Sequence, residues 1–192
     1  MFKTLFETPL WILDKELPEG AYDWALSTEK NITGRTRSNF GGYQSEIMEM
    51  KTLPYFDHIL SMISFLPQIR LSGYWVNINR RGNVNMVHTH PDSDLTFVWY
   101  ITDNDNKLVL ENPLYHTRYS LYNVNKMHTA FRPDGKKGSL IIFPSDIPHW
   151  VDAHDLDTPR ISISFNGSFN DTQYKENCHN KLISNSRYWN NI

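Results

Sequence analysis

The sequence predicts a mainly β fold, a jelly-roll barrel, with helices flanking it on the N-terminal side. Eight short strand-like segments follow one another between residues 69 and 166, separated by turn residues. Aromatic residues, which favour sheets over helix bundles, make up 14% of the chain. Histidines in distant strand-like segments could meet only if the sheet curled back on itself. Together these three observations indicate a closed barrel.

The composition indicates a single domain over 1–192, in which 1–68 support the barrel, 69–166 form its core and 167–192 are an irregular tail. A net charge of −2 provides no basic field to attract nucleic acid or anionic lipid. The one cysteine, Cys178, excludes an internal disulfide framework and fits a reducing cytoplasm. No run approaches the ~20 apolar residues that span a bilayer, so neither a membrane anchor nor an export signal is expected.

The first 68 residues predict four elements. These are a strand over 5–13, a helix over 18–30, a loop over 33–44 and a second helix over 53–66. Pro9 confines the strand to a sheet edge, since proline cannot donate to the ladder. Pro18 suits a first helical turn, and Pro67 ends the second helix. Ordered loops as long as the predicted one are often functional.

The barrel strands are predicted over 69–80, 84–90, 95–102, 107–111, 127–132, 138–143, 147–152 and 159–166. Segment 112–126, rich in Tyr and Asn, is expected to be a long loop near the barrel mouth. The polar loop 33–45 would lie beside it. The Arg, Asn and Tyr content of both segments suits a polar substrate, either a free amino acid or a protein side chain. The oligomeric state is left open.

A His-x-His pair, His88 and His90, lies on the second of these strands, and His149 follows about sixty residues later. Side chains alternate along a strand, so the first two rings point the same way. In a closed barrel the third can join them and form a metal site. The alternative is that they are ordinary polar residues, since the chain has eight histidines. Imidazole suits iron, zinc, copper and nickel alike, so the histidines do not name the metal.

The last strand carries polar and apolar residues in alternation, with Arg160, Ser162, Ser164 and Asn166 on the polar face. That face looks either into water or, in a closed barrel, into the cavity with the histidines. In the second case an Arg and the hydroxyl two residues on can bind one carboxylate.

Strand alternation alone selects Asn79 and Tyr100 as two further, weaker cavity candidates. Asn79 shares a strand face with Trp75 and Asn77. An unpaired buried amide costs about 1–3 kcal/mol, so these amides need either a polar ligand or loop backbone as partners.

The order of several motifs resembles the small 2-oxoglutarate/Fe(II)-dependent oxygenases common in marine phage genomes. The resemblance covers most of residues 1–166 and rests on His88-x-His90-Pro91-x-Ser93, Phe97-Val98-Trp99-Tyr100, Leu140-Ile141-Ile142-Phe143-Pro144-Ser145, Pro148-His149 and Arg160-Ile161-Ser162. It implies a double-stranded β-helix that holds Fe(II) and 2-oxoglutarate, with the far carboxylate of 2-oxoglutarate on Arg160 and Ser162. It also implies O2 as a substrate, a hydroxylated product, and succinate and CO2 as coproducts.

The chain departs from that family's usual pattern, in which two histidines and a carboxylate hold the iron and the first pair is His-x-Asp. Two ligand sets remain open, His88 with His90 and His149, or His90 with Asp92 in place of His88. Asp94 is a third, weaker ligand candidate. Alternation favours the three histidines, because Pro91 is expected to end regular pairing before Asp92.

A second resemblance is to the two cupin motifs, through Gly82, His88, His90 and Asp94, then Gly138, Pro144 and His149. Asp94 and Asp146 stand where cupins usually have Glu and Gly, and Arg160 has no special role in that pattern. A cupin would share the barrel but act as a metal-dependent binding protein, an isomerase or a dioxygenase without 2-oxoglutarate. A non-catalytic barrel for protein contact is a third alternative.

Overall fold

A computed structural model describes residues 8–66, 68–103, 106–113 and 129–169 of the chain. The two α-helices in these ranges are α1 (Ala21–Asn31) and α2 (Phe56–Met62), with a 3₁₀ turn at Met50–Thr52. The described strands are β1 (Trp11–Leu13), β2 (Asn39–Phe40), β3 (Tyr43–Gln44), β4 (Ile69–Asn79), β5 (Val84–His88), β6 (Leu95–Tyr100), β7 (Leu108–Glu111), β8 (Ala130–Phe131), β9 (Leu140–Pro144), β10 (His149–Val151) and β11 (Arg160–Phe169). Neither helix is long and apolar enough to cross a membrane.

The strands form two antiparallel sheets. The major sheet has the order β1-β9-β6-β11-β4-β3, and the minor sheet has the order β2-β5-β10-β7-β8. Strands close in sequence alternate between the sheets, as β9 and β10 do, which is the winding of a jelly roll. The prediction of a mainly β double-stranded β-helix with flanking helices is confirmed.

Two apolar clusters stabilise this arrangement. The first lies between the major sheet and the helices, where Val76 of β4 and Ile163 of β11 pack with Ala25 and Ile59. The second lies between the two sheets and includes Phe143 of β9. Because one face of β4 and β11 packs under the helices, their other face must look toward the minor sheet. The polar residues of β11 therefore point between the sheets.

The prediction of a loop over 33–44 was wrong in part. Residues 39–40 form β2, which pairs with β5 of the minor sheet, and residues 43–44 form β3, which pairs with β4 of the major sheet. Gly41 makes the turn between them at a positive φ of 77°. Both strands pair with residues more than thirty positions away, so the local polar composition gave no sign of them.

Other boundaries also differ from the predictions. Helix α2 spans Phe56–Met62 rather than residues 53–66. Strand β5 ends at His88, two residues early. Strand β11 continues to Phe169 through pairing with the start of β4. Residues 167–169, which were predicted to belong to the tail, are therefore part of the sheet. The predicted loop over 112–126 and the rest of the tail lie almost entirely outside the described residues.

Gly138 occupies a position where any larger residue is expected to destabilise the fold. Its φ is +89°, and an added Cβ would overlap the backbone oxygen of Lys15. We expect Gly138→Ala to lower the free energy of unfolding by about 2–3 kcal/mol, through backbone strain and overpacking together. Gly82 is the matched control, since its φ is +82° but its Cβ would meet nothing within 4 Å.

Urea unfolding of both variants checks this expectation. Gly82→Ala should lose about 1 kcal/mol, the cost of the left-handed backbone alone. Equal losses in the two variants would contradict a role for the contact with Lys15.

Candidate metal centre

Three histidines meet at one point between the sheets. His88 ends β5 and His149 begins β10, and the two residues are directly paired in the register of these strands. His90 lies beyond the end of β5, where its backbone N–H donates to the Ser145 carbonyl at 2.8 Å. The ligand atoms of the three rings all lie within 4.8 Å of one another. The sequence expectation that these imidazoles converge agrees with this geometry.

Hydrogen bonds fix the orientation of the rings. His88 Nδ1 lies 2.7 Å from the Met86 carbonyl, and His149 Nδ1 lies 2.8 Å from the Ile147 carbonyl. A carbonyl oxygen only accepts, so each Nδ1 carries the proton and each Nε2 keeps its lone pair. His90 Nδ1 is 3.4 Å from the Asn166 amide nitrogen. At least two of the rings are thus prepared to bind a cation through Nε2.

The electrostatics of the cluster favour neutral rings. Burial, and to a smaller extent the nearby His88, lower the pKa of His149 to about 3. Burial, with a smaller contribution from His88, lowers the pKa of His90 to about 4, and burial lowers the pKa of His88 below its usual value. A metal ion binds the neutral imidazole, so near pH 7 it would displace no proton from these rings.

These shifts predict a loss of stability in acid for the metal-free protein. His149 has a folded pKa of about 3 against ~6.5 in the unfolded chain. As the pH falls below 6.5 the unfolded state takes up a proton that the folded state refuses, so stability falls progressively toward pH 3. At pH 5 we expect His149 alone to cost on the order of 2 kcal/mol relative to pH 7.5.

Urea unfolding at pH 7.5 and pH 5 measures this effect. His149→Gln removes the titrating ring, so the variant should lose less stability between the two pH values than the unchanged protein does. The same loss in both proteins would contradict the assignment to His149.

The carboxylate alternatives lie elsewhere. Asp92 and Asp94 line a separate cleft beside Arg70, and Asp94 accepts a hydrogen bond from the Phe169 backbone N–H at 2.8 Å. Among the described residues, the group able to hold a metal comprises only the three histidines. Three neutral nitrogen donors fit a divalent first-row metal, including Fe(II). Such a site has one negative charge fewer than a site with two histidines and a carboxylate.

The polar face of β11 lines the same hollow, which we call the inner cavity. Its walls include the three histidines together with Trp75, Asn77, Arg160, Ser162 and Ser164. Its volume is about 40 Å³, enough for a few water molecules. The Arg160 side chain is only 2% exposed, so the chain holds a buried cation beside the three imidazoles.

The two weaker candidates lie behind the cavity wall. Tyr100 accepts a hydrogen bond from Arg160 Nη2 at 3.3 Å, and its ring lies 5.1 Å from the guanidinium carbon. Burial raises the pKa of Tyr100, while Arg160 opposes that shift. Asn79 donates to the Asn85 amide oxygen at 3.1 Å, so its partner is a side chain rather than loop backbone or a ligand. Neither residue is among the described residues that line the inner cavity.

Sequence reasoning missed the residues that support the rings. The Trp75 ring lies 5.6 Å from that of His90, and the Phe143 ring packs edge-on against His149 at 4.9 Å. Alternation placed Trp75 on the correct face, but nothing local connected either aromatic residue with a histidine. Neither histidine lies in the same strand as its aromatic partner.

Part of the chain matches a family model. Residues 73–166, which is 94 of the 192 residues and just under half of the chain, match the model described as "Putative 2OG-Fe(II) oxygenase". The matched segment contains all three histidines, Arg160 and Ser162. None of the curated proteins matches the sequence.

Solved structures with similar folds include several 2-oxoglutarate enzymes. The alpha-ketoglutarate-dependent carbocyclase SnoK of nogalamycin biosynthesis has a TM-score of 0.61 and 12% identity, over 84% of this chain and 79% of its own. HygX from Streptomyces hygroscopicus, with nickel and 2-oxoglutarate bound, has a TM-score of 0.60 and 9% identity, over 85% and 84%. A prolyl-4-hydroxylase from Pseudomonas putida has a TM-score of 0.60 and 10% identity, over 85% and 94%. At these identities the likeness establishes the fold.

Proposed function

We propose that this protein is an Fe(II)- and 2-oxoglutarate-dependent oxygenase that hydroxylates a C–H bond of a polar substrate. The observation that carries the proposal is one cavity lined by three neutral imidazoles and by a buried guanidinium with hydroxyls beside it. The partial match to the oxygenase family model supports the same cofactor pair. A structural neighbour that binds nickel and 2-oxoglutarate in a barrel of this kind supports it further.

Each residue has a definite task in this proposal. His88, His90 and His149 hold the iron through neutral nitrogens. Bound there, Fe(II) and 2-oxoglutarate would supply the activation of O2, with succinate and CO2 as coproducts. Arg160 and Ser162 bind the far carboxylate of 2-oxoglutarate, because a planar guanidinium can offer it two parallel hydrogen bonds.

Other residues keep this arrangement in place. Tyr100 orients the Arg160 guanidinium from behind, and Asn79 acts one step further away by fixing Asn85 in the wall. The Trp75 and Phe143 rings pack against the histidines and limit water around them. These roles place the protein's contribution in positioning and in the exclusion of water.

The cellular context is part of the proposal. The order and spacing of the motifs resemble the oxygenases of marine phages, so we propose a phage gene that acts in the host cytoplasm. A reducing compartment suits both Fe(II) and a chain with a single cysteine.

The test is anaerobic addition of 2-oxoglutarate to the Fe(II)-loaded protein. Chelation of the iron should produce a metal-to-ligand charge-transfer band in the visible. Admission of O2 should then release succinate. If iron binds normally and no band forms, the protein would instead be a metal-binding barrel of the cupin kind.

A further inference from the structure

A second, larger hollow adjoins the histidines on the outer side, and we call it the outer cavity. Its volume is about 540 Å³, within the range of ligand-binding sites. The segment before β2 forms one wall and the end of β5 forms another. His88, His90 and Trp75 belong to the walls of both cavities. A molecule in the outer cavity would therefore lie against the metal centre.

The charge in the outer cavity is all of one sign. Arg35 and Arg37 line it, and none of the described residues in its walls is acidic. No hydrogen bond or ion pair joins either guanidinium to another described residue, and Arg35 Nε is buried without an acceptor. Burial lowers the pKa of Arg35, and the charge of Arg37 adds to this, against the attraction of the exposed Glu46. Two neighbouring cations with a buried unpaired N–H favour an anionic ligand.

The remaining walls are mixed. Ile47, Met86 and Val87 are apolar and 56%, 58% and 58% exposed, well above the usual exposure of such side chains. Gln44 and Asn166 offer neutral hydrogen-bonding groups. A ligand that contacted both the arginines and these apolar side chains favourably would combine an anionic group with an apolar part.

We propose that the outer cavity binds the substrate and that the substrate is a small organic anion. Arg35 and Arg37 hold its carboxylate or phosphate group, and Ile47, Met86 and Val87 contact its apolar part. This inference rests on the proposed function only in calling the ligand a substrate. It also narrows the class of polar substrate that the composition suggested. A free amino acid fits less well, because the described walls hold no carboxylate for its ammonium group.

Four probes with one apolar body and different end groups test the proposal. They are 3-phenylpropanoate, 2-phenylethyl phosphate, the neutral 3-phenylpropanamide and the cationic 2-phenylethylammonium. Binding is measured by calorimetry on the full-length protein after its metal has been removed by a chelator and the chelator dialysed away. The carboxylate or the phosphate should bind at least about tenfold more tightly than the amide. This is the gain expected from charge-assisted hydrogen bonds. The stronger of the two anions shows which end group the outer cavity prefers.

Variants locate the binding. Arg35→Gln together with Arg37→Gln should reduce anion affinity about tenfold or more and leave the amide unchanged. Arg81→Gln is the matched control, since Arg81 is a surface arginine paired with Asp157 and lies outside the cavity walls. It should bind all four probes as the unchanged protein does.

The proposal is overturned if the anions bind no more tightly than the amide, a comparison that requires no variant. It is also overturned if Arg160→Gln abolishes anion binding while the double variant does not, since the probe then occupies the inner cavity. These measurements use neither iron nor 2-oxoglutarate. Their failure therefore differs from failure of the proposed function, which would leave anion binding intact but give no charge-transfer band.

Discussion

Replacement of His149 by alanine is expected to weaken Fe(II) binding by at least about 100-fold. Loss of a group that merely orients a ligand typically costs 10–100-fold in metal affinity, so loss of a ligand should cost no less. His149 begins β10 and lies directly opposite His88, the last residue of β5. It is only 4% exposed. Water would have to replace it inside a largely closed site. Anaerobic competition with a chelating dye measures the affinity.

Two aspartates are the matched controls for that experiment. Asp92→Asn and Asp94→Asn remove the carboxylates that the sequence left open as ligands, and both should leave the iron affinity unchanged. Since alanine leaves a void at a buried position, His149→Gln serves as a second variant of similar volume. If Asp92→Asn lost iron binding while His88→Ala kept it, the alternative ligand set of His90 with Asp92 would be the correct one.

Replacement of Arg160 by alanine is expected to weaken 2-oxoglutarate binding by about 100-fold while leaving iron affinity largely intact. Loss of one partner of a buried, hydrogen-bonded charge pair costs about 2–5 kcal/mol, and 2.7 kcal/mol corresponds to 100-fold. Arg160 lines the inner cavity but is not one of the group of histidines. Titration of 2-oxoglutarate into the Fe(II) protein without O2, followed by the visible band, gives the affinity.

Arg160→Gln keeps part of the side-chain volume and distinguishes loss of the charge from loss of packing. Tyr100→Phe removes the hydroxyl behind the guanidinium and should cost less than either change, because it only loosens the orientation of Arg160. Equal losses of iron and 2-oxoglutarate affinity in Arg160→Ala would mean that this residue is structural. The surface variant Arg81→Gln again serves as the control for charge.

Strand periodicity was the most informative property of the sequence. The alternation of Arg160, Ser162 and Ser164 with apolar residues specified which face of β11 was polar, and the structure turns that face toward the histidines. Each of the eight predicted barrel strands overlaps an observed strand, although residues 127–128 of the fifth prediction lie outside the described ranges. Alternation also placed Asn79 beside the cavity, but it could not show that a neighbouring amide, that of Asn85, already satisfies it.

Elements that depend on distant partners were not predictable in the same way. Strands β2 and β3 form because their backbones meet β5 and β4, and a polar Gly-rich segment gives no local sign of that. The same strands place Arg35 and Arg37 in one cavity wall with His88 and His90. The outer cavity thus depends on pairings that no window of the sequence contains.

The sequence by itself determined the class of the fold and the chemical types available to the site, because side-chain periodicity and turn residues act over a few positions. Only the tertiary structure decided which histidines meet and what surrounds them. The winding between two sheets brings residues sixty positions apart into register, and it removes Asp92 and Asp94 to a separate cleft. The grouping of these side chains therefore depends on how the strands pair as well as on spacing along the chain.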